Sequence, residues 1–352
     1  MRFIHMADVH LGASPDAGYP WSGTRKNEIW ETFRTIIRDA GEEKADLLLI
    51  AGDLFHRQPE PEELKEVNYL FASIPNTRVV LIAGNHDYIQ PSSPYLNFEW
   101  APNVACLFSR KCECVRFPEI QTEVYGLSYD RQEITEPLYD SLHPVKSRAF
   151  HILLAHGGDS RHIPLGREQL QKSGFDYIAL GHIHKPGALI RDKALFAGAP
   201  EPIDCGDTGP HGYILGEYRK GHLTTEFVIR GKREYRNLEL PVTEDDTTFS
   251  LRDRLEKRIE KEGWEHIYRV VLTGSRQPGL RFDLQRLREY GMVLDIEDRT
   301  SPAFHLDELR RKYEGQLIGY YIESFEEHER CETEEKALRY GLEALLGTVQ
   351  ED

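Results

Sequence analysis

Five largely apolar runs in the first half of this 352-residue chain each end in a polar motif. Asp8-Val9-His10 closes the first, Gly52-Asp53 the second and Gly84-Asn85-His86-Asp87 the third. His156-Gly157 closes the fourth and Gly181-His182-Ile183-His184 the fifth. The runs Arg2–Ala7, Asp46–Ala51, Arg78–Ala83, Phe150–Ala155 and Tyr177–Leu180 are rich in Val, Ile and Leu and have the length of strands. A further strand is predicted at Glu123–Leu127. Leu47–Ala51 is apolar without alternation, which predicts a sheet covered on both faces. Helical patterns at Lys26–Ala40 and Glu62–Ser73 lie between the strands, the second behind Pro59 and Pro61. Ligands of open α/β sheets bind beyond the carboxyl ends of strands. Five strand ends that all present Asp, Asn or His therefore predict one convergent polar site.

The residue types are those of a metal centre. Imidazole with carboxylate and amide oxygen suits Mn, Fe or Zn better than Ca or Mg. The lack of thiolate argues against a closed structural zinc site. Seven candidate ligands, Asp8, His10, Asp53, Asn85, His156, His182 and His184, are too many for one ion. They suit two ions that share a carboxylate. Asp8 and His10 are two apart, as are His182 and His184, so on extended chain each pair would face one side. Two such ions neutralise phosphate oxygens and activate water for in-line attack on a phosphate ester. The leaving oxygen then needs a proton or a positive group beside it. His86, next to Asn85, is the expected supplier, because imidazole gives up a proton near neutral pH. Asp87 is expected to orient His86 or another group near the metals. Each motif alone is common by chance; all five in order, each behind an apolar run, carry the reading.

After His184 the texture becomes β-rich, with runs at Ala188–Ile190, Ala194–Ala197, Gly212–Tyr218 and Leu223–Ile229. The polar stretch Pro241–Thr248 reads as a linker that divides the chain into 1–240 and 241–352. Beyond it, helices are predicted at Phe249–Glu262 and Leu280–Tyr290, and strands at Ile267–Thr273 and Met292–Glu297. A mostly helical tail is predicted from Leu306 to Leu346. From Glu323 to Asp352 ten acidic residues face three basic ones. That imbalance makes this end a solvated helix face or a charged contact for a partner.

The net charge of −15 argues against tight, autonomous DNA binding. It leaves room for an enzyme whose bound cations meet phosphate. No stretch approaches the roughly 20 apolar residues of a membrane span. The start, MRFIHMADVH, lacks the basic flank and apolar run of a signal peptide, so the cytoplasm is the expected compartment. Among five cysteines only Cys112 and Cys114 are close, with no second pair to complete a zinc ribbon.

The ordered motifs DVH, GDLFHR, GNHD, HG and GHIH resemble those of the calcineurin-like metallophosphoesterases. In detail they resemble the SbcD-type DNA repair exonucleases, particularly the YhaO-like bacterial branch. IHMADVHLGA, the helix start Arg25–Phe33 and ADLLLIAGDLFH are similar to that family, and IEDRTSP and LIGYYIESF resemble the branch's C-terminal region. The resemblance implies an α/β fold, a four-layer α/β/β/α sandwich with a small C-terminal α+β capping domain. It implies one ion on Asp8, His10, Asp53 and His184, and a second on Asp53, Asn85, His156 and His182, with Asp53 bridging. It makes His86 the catalytic histidine and His56 a second histidine of the nuclease reaction. It also implies Mn2+ as the usual metal, DNA as substrate and an SbcC-type coiled-coil ATPase as partner. In that family the ATPase docks on C-terminal helices. Here the acidic helical end, Glu332–Leu346, is the segment available, for an ATPase, for its own domain or for a homodimer.

Three functions compete at this stage. The first is a DNA exonuclease or endonuclease, supported by His56 and by Arg219–Arg236, which carries six Lys/Arg against two Glu. That stretch reads as a phosphate track or as a hairpin edge guarded by charge. Tyr19, Trp21 and Tyr129 are candidates for stacking on bases or for packing, and Arg57, Arg161 and His162 for meeting phosphate. The second is a small-molecule or nucleotide phosphodiesterase or phosphatase. Phosphoprotein phosphatases of the superfamily read GDxVDRG and GNHE, whereas this chain has GDLFHR and GNHD. The third is a non-catalytic scaffold; such chains generally lose ligands, and none is missing here.

Overall fold

The apolar runs become the strands of two six-stranded sheets in the computed structural model, which describes residues 1–325 and 330–349. The strands are β1 (Arg2–Met6), β2 (Leu47–Ala51), β3 (Arg78–Ile82), β4 (Val104–Cys106), β5 (Glu113–Phe117) and β6 (Thr122–Gly126). They continue with β7 (Phe150–His156), β8 (Tyr177–Gly181), β9 (Gly187–Ile190), β10 (Ala194–Phe196), β11 (Gly212–Arg219) and β12 (His222–Ile229). Helices α1 (Ser22–Glu42), α2 (Pro61–Ala72) and α3 (Arg167–Lys172) accompany them. The first sheet has the order β12-β11-β1-β2-β3-β4 and the second β5-β6-β7-β8-β10-β9. β1 to β4 run parallel, with Phe3 opposite Leu47 and Leu47 opposite Arg78. β6, β7, β8 and β10 are also parallel.

Burial on both faces explains the missing alternation. All five residues of β2 are buried. Leu47, Leu49 and Ala51 join Phe3, Val80, Ile82, Ile152, Leu154 and Ala179 in the core between the sheets. Leu48 and Ile50 point the other way, onto Ile29, Phe33, Ile36 and Ile37 of α1 and Leu64, Val67 and Phe71 of α2. Each such Leu, Ile or Phe removed from water contributes about 1.5–3 kcal/mol. The outer face of the second sheet, Leu153, Ala155, Ile178 and Leu180, is covered by Leu170 of α3 and by loop residues Tyr129, Ile134, Tyr139 and Phe175. The result is the expected four-layer α/β/β/α sandwich. α2 begins where its residues require: Pro61 opens it, and the Glu60 and Glu63 side chains satisfy each other's backbone N–H in a capping box.

The chain divides into two compact units, Met1–Tyr235 and Arg236–Asp352. β13 (Tyr235–Val242) runs through Pro241 and Val242, which the sequence reading placed in a linker. Its alternation is real, with Tyr235, Leu238, Leu240 and Val242 buried, and Pro241 is tolerated at an exposed position. Thr247 caps α4 (Thr248–Glu262) by accepting from the Ser250 N–H. β14 (Ile267–Arg276), α5 (Leu284–Leu287), β15 (Met292–Asp298) and β16 (Ser301–Pro302) complete a small α+β body around Leu251, Leu255, Ile259, Tyr268, Val270 and Ile296. The predicted helix Leu280–Tyr290 shrinks to α5, whose start is set by Asp283 accepting from the Arg286 N–H. α6 (Leu306–Lys312), α7 (Leu317–Glu323) and α8 (Glu332–Val349) pack around Tyr313, Ile318, Ile322, Leu338 and Leu342. Residues 326–329 and 350–352 of the predicted acidic end lie outside the described residues. Among the described residues no helix is long and apolar enough to cross a membrane.

Candidate active site

The parallel strands of both sheets deliver their carboxyl ends to one rim. Asp8 and His10 follow β1, Asp53 follows β2, and Asn85 and His86 follow β3; His156 ends β7 and His182 follows β8. The pairs spaced by two do not converge on extended chain as predicted. Asp8, His10, Asp53 and His182 have φ of 53°, 51°, 50° and 94°, the left-handed region that non-glycine residues rarely enter. Each such residue costs on the order of 1–3 kcal/mol and concentrates at functional sites. Hydrogen bonds between strand ends hold the turns: Asp8 N–H to Gly52 O at 3.1 Å and His10 N–H to Asp53 O at 3.0 Å. Gly84 is needed for room, since a Cβ there would lie 2.2 Å from Asp53 Oδ1 and 2.7 Å from His156 Nε2.

The seven predicted ligands come together. His10 Nε2 and His184 Nε2 are 3.1 Å apart, and Asp53 Oδ2 lies 3.8 Å from His10 Nε2 and 3.4 Å from His156 Nε2. Asn85 Oδ1 is 2.9 Å from His156 Nε2 and 3.1 Å from His182 Nδ1. Asp8, His10 and His184 form one group with metal-ligand spacing, and Asp8, Asp53 and His156 another. Atoms that share an ion at about 2.0–2.2 Å lie roughly 3 Å from one another. His156 Nδ1 is 2.9 Å from Ala51 O and can only donate to it, which leaves the Nε2 lone pair facing the centre.

The electrostatics ask for positive charge. Asp8, His10, Asp53 and His156 are fully or almost fully buried. Burial pushes the Asp8 carboxyl up to about 6. It also opposes ionisation of Asp53, but His156 above all, then His10 and His86, hold that carboxyl far below its ordinary value. Burial disfavours charged His156, and the Asp53 and Asp8 carboxylates outweigh it and push the imidazole up to about 9. Burial, with His156 nearby, takes His182 down to about 4. A proton held on His156 thus answers the Asp53 carboxylate, a place that a divalent cation fills without protonating a ligand. The donor set fits two such ions.

Other predicted residues fall in different places. The His86 N–H donates to Asp53 Oδ1 at 2.9 Å, and His86 Nδ1 lies 3.1 Å from His56 O. The His56 and His86 rings stack at 4.9 Å, and His86 meets the His10 ring edge-on at 4.8 Å. Asp87 does not orient His86. It is buried and accepts from Gly84 N–H (2.8 Å), Phe55 N–H (3.2 Å) and Tyr95 O–H (2.7 Å), so it locks the turn that carries Asn85 and His86. Tyr129 is fully buried and donates to His156 O at 3.1 Å, so it cannot stack on a base. Tyr19 stacks on Trp21 at 4.9 Å, and Trp21 Nε1–H donates to Asp16. Arg57 is engaged by Glu63 and Glu60, Arg161 by Glu133, and His162 by Asp159. In the basic stretch Arg230 pairs with Asp39, Lys232 with Glu31, Arg233 with Glu28 and Arg236 with Glu262, which favours structural pairing over a phosphate track for these four.

An open cleft of about 560 Å³ lies over the centre, lined by Asp53, Asn85, His86, Arg161, His162, His182, His184 and by Lys185, Asp207 and others. Sequence reasoning missed Asp159, Asp207 and Lys185. Asp159 sits in a loop with Gly and Ser, and Asp207 in one with Gly and Pro, rather than at strand ends. Lys185 follows the last motif directly and is exposed, with no ion-pair partner among the described residues.

Comparison with known proteins agrees with this geometry. The chain is 29% identical over 299 residues to the uncharacterized metallophosphoesterase YhaO of Bacillus subtilis, covering 78% of this chain and 72% of that protein. It is 41% identical over 331 residues to the DNA double-strand break repair protein Mre11 of Archaeoglobus fulgidus, covering 82% and 71%. With the Mre11 protein of Methanopyrus kandleri it shares 28% identity over 275 residues, covering 68% and 59%. The profile of the calcineurin-like phosphoesterases matches residues 1–186, a stretch that contains every motif at the rim, and that family's fold carries a dinuclear metal centre. With its paired sheets, its rim of Asp, Asn and His and this match over more than half its length, the chain belongs to the calcineurin-like phosphoesterase family.

Proposed function

We propose that this chain is a two-metal-dependent DNA nuclease, an exonuclease with endonuclease activity as a further possibility to test, that hydrolyses phosphodiester bonds in DNA repair or end processing. The observation that carries the reading is the complete donor set beside the stacked His56–His86 pair at an open cleft. Asp8, His10, Asp53 and His184 would hold one ion, and Asp53, Asn85, His156 and His182 the other. The family resemblance favours Mn2+, and the donor set itself suits Mn, Fe or Zn. When bound, the two ions supply charge neutralisation for the phosphate oxygens and a lowered pKa for water. His86 Nδ1–H donates to the His56 carbonyl, so the ring would hand a proton to the leaving oxygen from Nε2 in its imidazolium form and be left as the neutral Nδ1–H tautomer. The His56 ring stacks on that imidazole and holds its plane. Lys185, Arg161 and His162 line the cleft and are the candidates there for meeting a substrate phosphate, and Arg57 and Tyr19, outside that lining, are candidates for contacts with longer DNA. Residues 241–352 act as a capping and partner-binding region. The exposed Leu317 and Tyr320 of α7 and Tyr340 of α8 support docking of an SbcC-type ATPase or a homodimer there, in the cytoplasm.

A nucleotide or small-molecule phosphodiesterase is the second reading. It is favoured by the pairing of Arg57 and Arg161 with glutamates and by the net charge of −15. Labelled linear single- and double-stranded DNA, incubated with Mn2+, Mg2+ or Zn2+ with and without a candidate ATPase, separates the two. Nucleotide release from DNA with Mn2+ is expected. Hydrolysis of nitrophenyl esters or cyclic nucleotides with intact DNA under every condition would instead establish the second reading.

A further inference from the structure

His182 and His184 leave one short turn with opposite ring nitrogens facing the centre. His184 brings Nε2 to 3.1 Å from His10 Nε2, and its Nδ1 lies 3.0 Å from Asp207 Oδ2. His182 does the reverse: Nδ1 is 3.1 Å from Asn85 Oδ1 and Nε2 is 2.9 Å from Asp159 Oδ2. A neutral imidazole carries a single N–H, and a carboxylate can only accept it. Each carboxylate therefore selects the nitrogen that keeps the proton and leaves the other lone pair pointing inward.

Both carboxylates are themselves held. Asp207 Oδ2 accepts from Ile203 N–H at 3.1 Å and Asp204 N–H at 3.0 Å. Asp159 Oδ1 accepts from Arg161 N–H at 2.7 Å and His162 N–H at 2.9 Å, while its Oδ2 faces His182 and, at 2.9 Å, His162 Nδ1. Their surroundings differ, since the Asp159 side chain is 48% exposed and that of Asp207 13%. Asp159, His162 and His182 also have the spacing of a cation site. The backbone donors on Asp159 and its two imidazole partners already use its acceptor positions, so orientation of His182 is the simpler account.

We propose that Asp207 and Asp159 are positioning residues, one for each half of the dinuclear centre. Asp207 fixes the tautomer and plane of His184 for the ion shared with His10, and Asp159 does the same for His182 and the ion shared with Asn85 and His156. This inference rests on the ligand assignment proposed above. Hydrogen-bond partners of metal-bound histidines set metal affinity by about 10–100-fold when removed.

The test is Mn2+ titration of the full-length protein by calorimetry and by electron paramagnetic resonance, beside ring 15N NMR of the Zn2+-loaded form. Wild type is expected to bind two ions, with the proton on His184 Nδ1 and on His182 Nε2. Asp207→Ala should weaken one ion by about 10–100-fold and leave the other. Asp159→Ala should weaken the other ion, by less because that carboxylate is half exposed. Asp207→Asn and Asp159→Asn, which keep an acceptor oxygen, should recover part of each loss. Melting in chelator reports folding, and the exposed Asp159 loop keeps the test alive if Asp207→Ala unfolds. Fewer than two ions on wild type would sink the ligand assignment itself. Two ions on wild type with unchanged affinities in both alanine variants, reversed tautomers, or a third ion lost with Asp159 would overturn the positioning roles alone.

Discussion

Two buried polar clusters in the N-terminal unit solve the problem of buried charge in opposite ways. Around α1, Arg25 is fully buried and lies 2.7 Å from Glu28, 3.5 Å from Asp16 and 3.7 Å from Glu201, while Arg233, which follows β12 in the chain, also binds Glu28. Thr32 O–H and Lys232 N–H both donate to Glu201. Guanidinium groups of the chain itself answer those carboxylates. At the rim, Asp8 and Asp53 are as deeply buried, yet among the described residues only histidines pair with them. A buried carboxylate answered by Arg is a structural tie. One answered only by imidazoles, on strained backbone and under an open cleft, is a place prepared for a cation.

The largest separation of the two clusters should come from Asp53→Asn. It is expected to reduce hydrolysis by more than about 10⁴-fold while leaving the melting temperature in chelator unchanged or raised. Loss of stability as large as the loss of activity would put Asp53 in the same class as Glu28. His86→Gln should lower kcat by about 10²–10⁴-fold with both Mn2+ ions still bound in a titration; concurrent loss of an ion would make His86 a ligand rather than a proton donor. Arg25→Ala should do the opposite of Asp53→Asn. It leaves buried carboxylates short of a partner and should cost about 3–5 kcal/mol in urea unfolding. The Mn2+ affinity of the folded fraction should not move, and if it does, the clusters are one network.

The smallest effect is a pH dependence. Burial opposes the Glu28 carboxylate, but hydrogen bonds from Arg233 and Arg25 outweigh it and hold the carboxyl below its ordinary range. A depressed folded value means the unfolded chain takes up the proton first as pH falls. The stabilisation is therefore complete above the ordinary value of about 4.3 and fades as pH drops below it towards the folded value. Glu28→Gln should flatten that acid limb of the unfolding midpoint; an unchanged limb would show that Glu28 adds nothing to the tie.

Legibility followed sequence distance and local pattern. β2 and β7 were readable because burial on both faces demands unbroken apolar residues, and the candidate ligands were readable because each follows such a run. The basic residues between Arg219 and Arg236 read equally well as a track or as a charged hairpin edge. The partners of Arg230, Lys232 and Arg233 are acids of α1 some 190 to 205 positions away, which no local pattern discloses. β13 was hidden by Pro241, which breaks the look of a strand without breaking this one.

By themselves the residues closing the five apolar runs pointed to a metal centre, because seven oxygen and nitrogen donors at strand ends have few other uses. Only the tertiary structure decided how they meet. Parallel pairing in two sheets brought the strand ends to one rim, and left-handed turns, rather than extended alternation, aimed the side chains. It alone placed Asp159 and Asp207, each 23 residues from its histidine, on the ring nitrogens turned away from the centre. Side-chain hydrogen bonds between loops depend on where the packed sheets put those loops, and no periodicity along the chain encodes that.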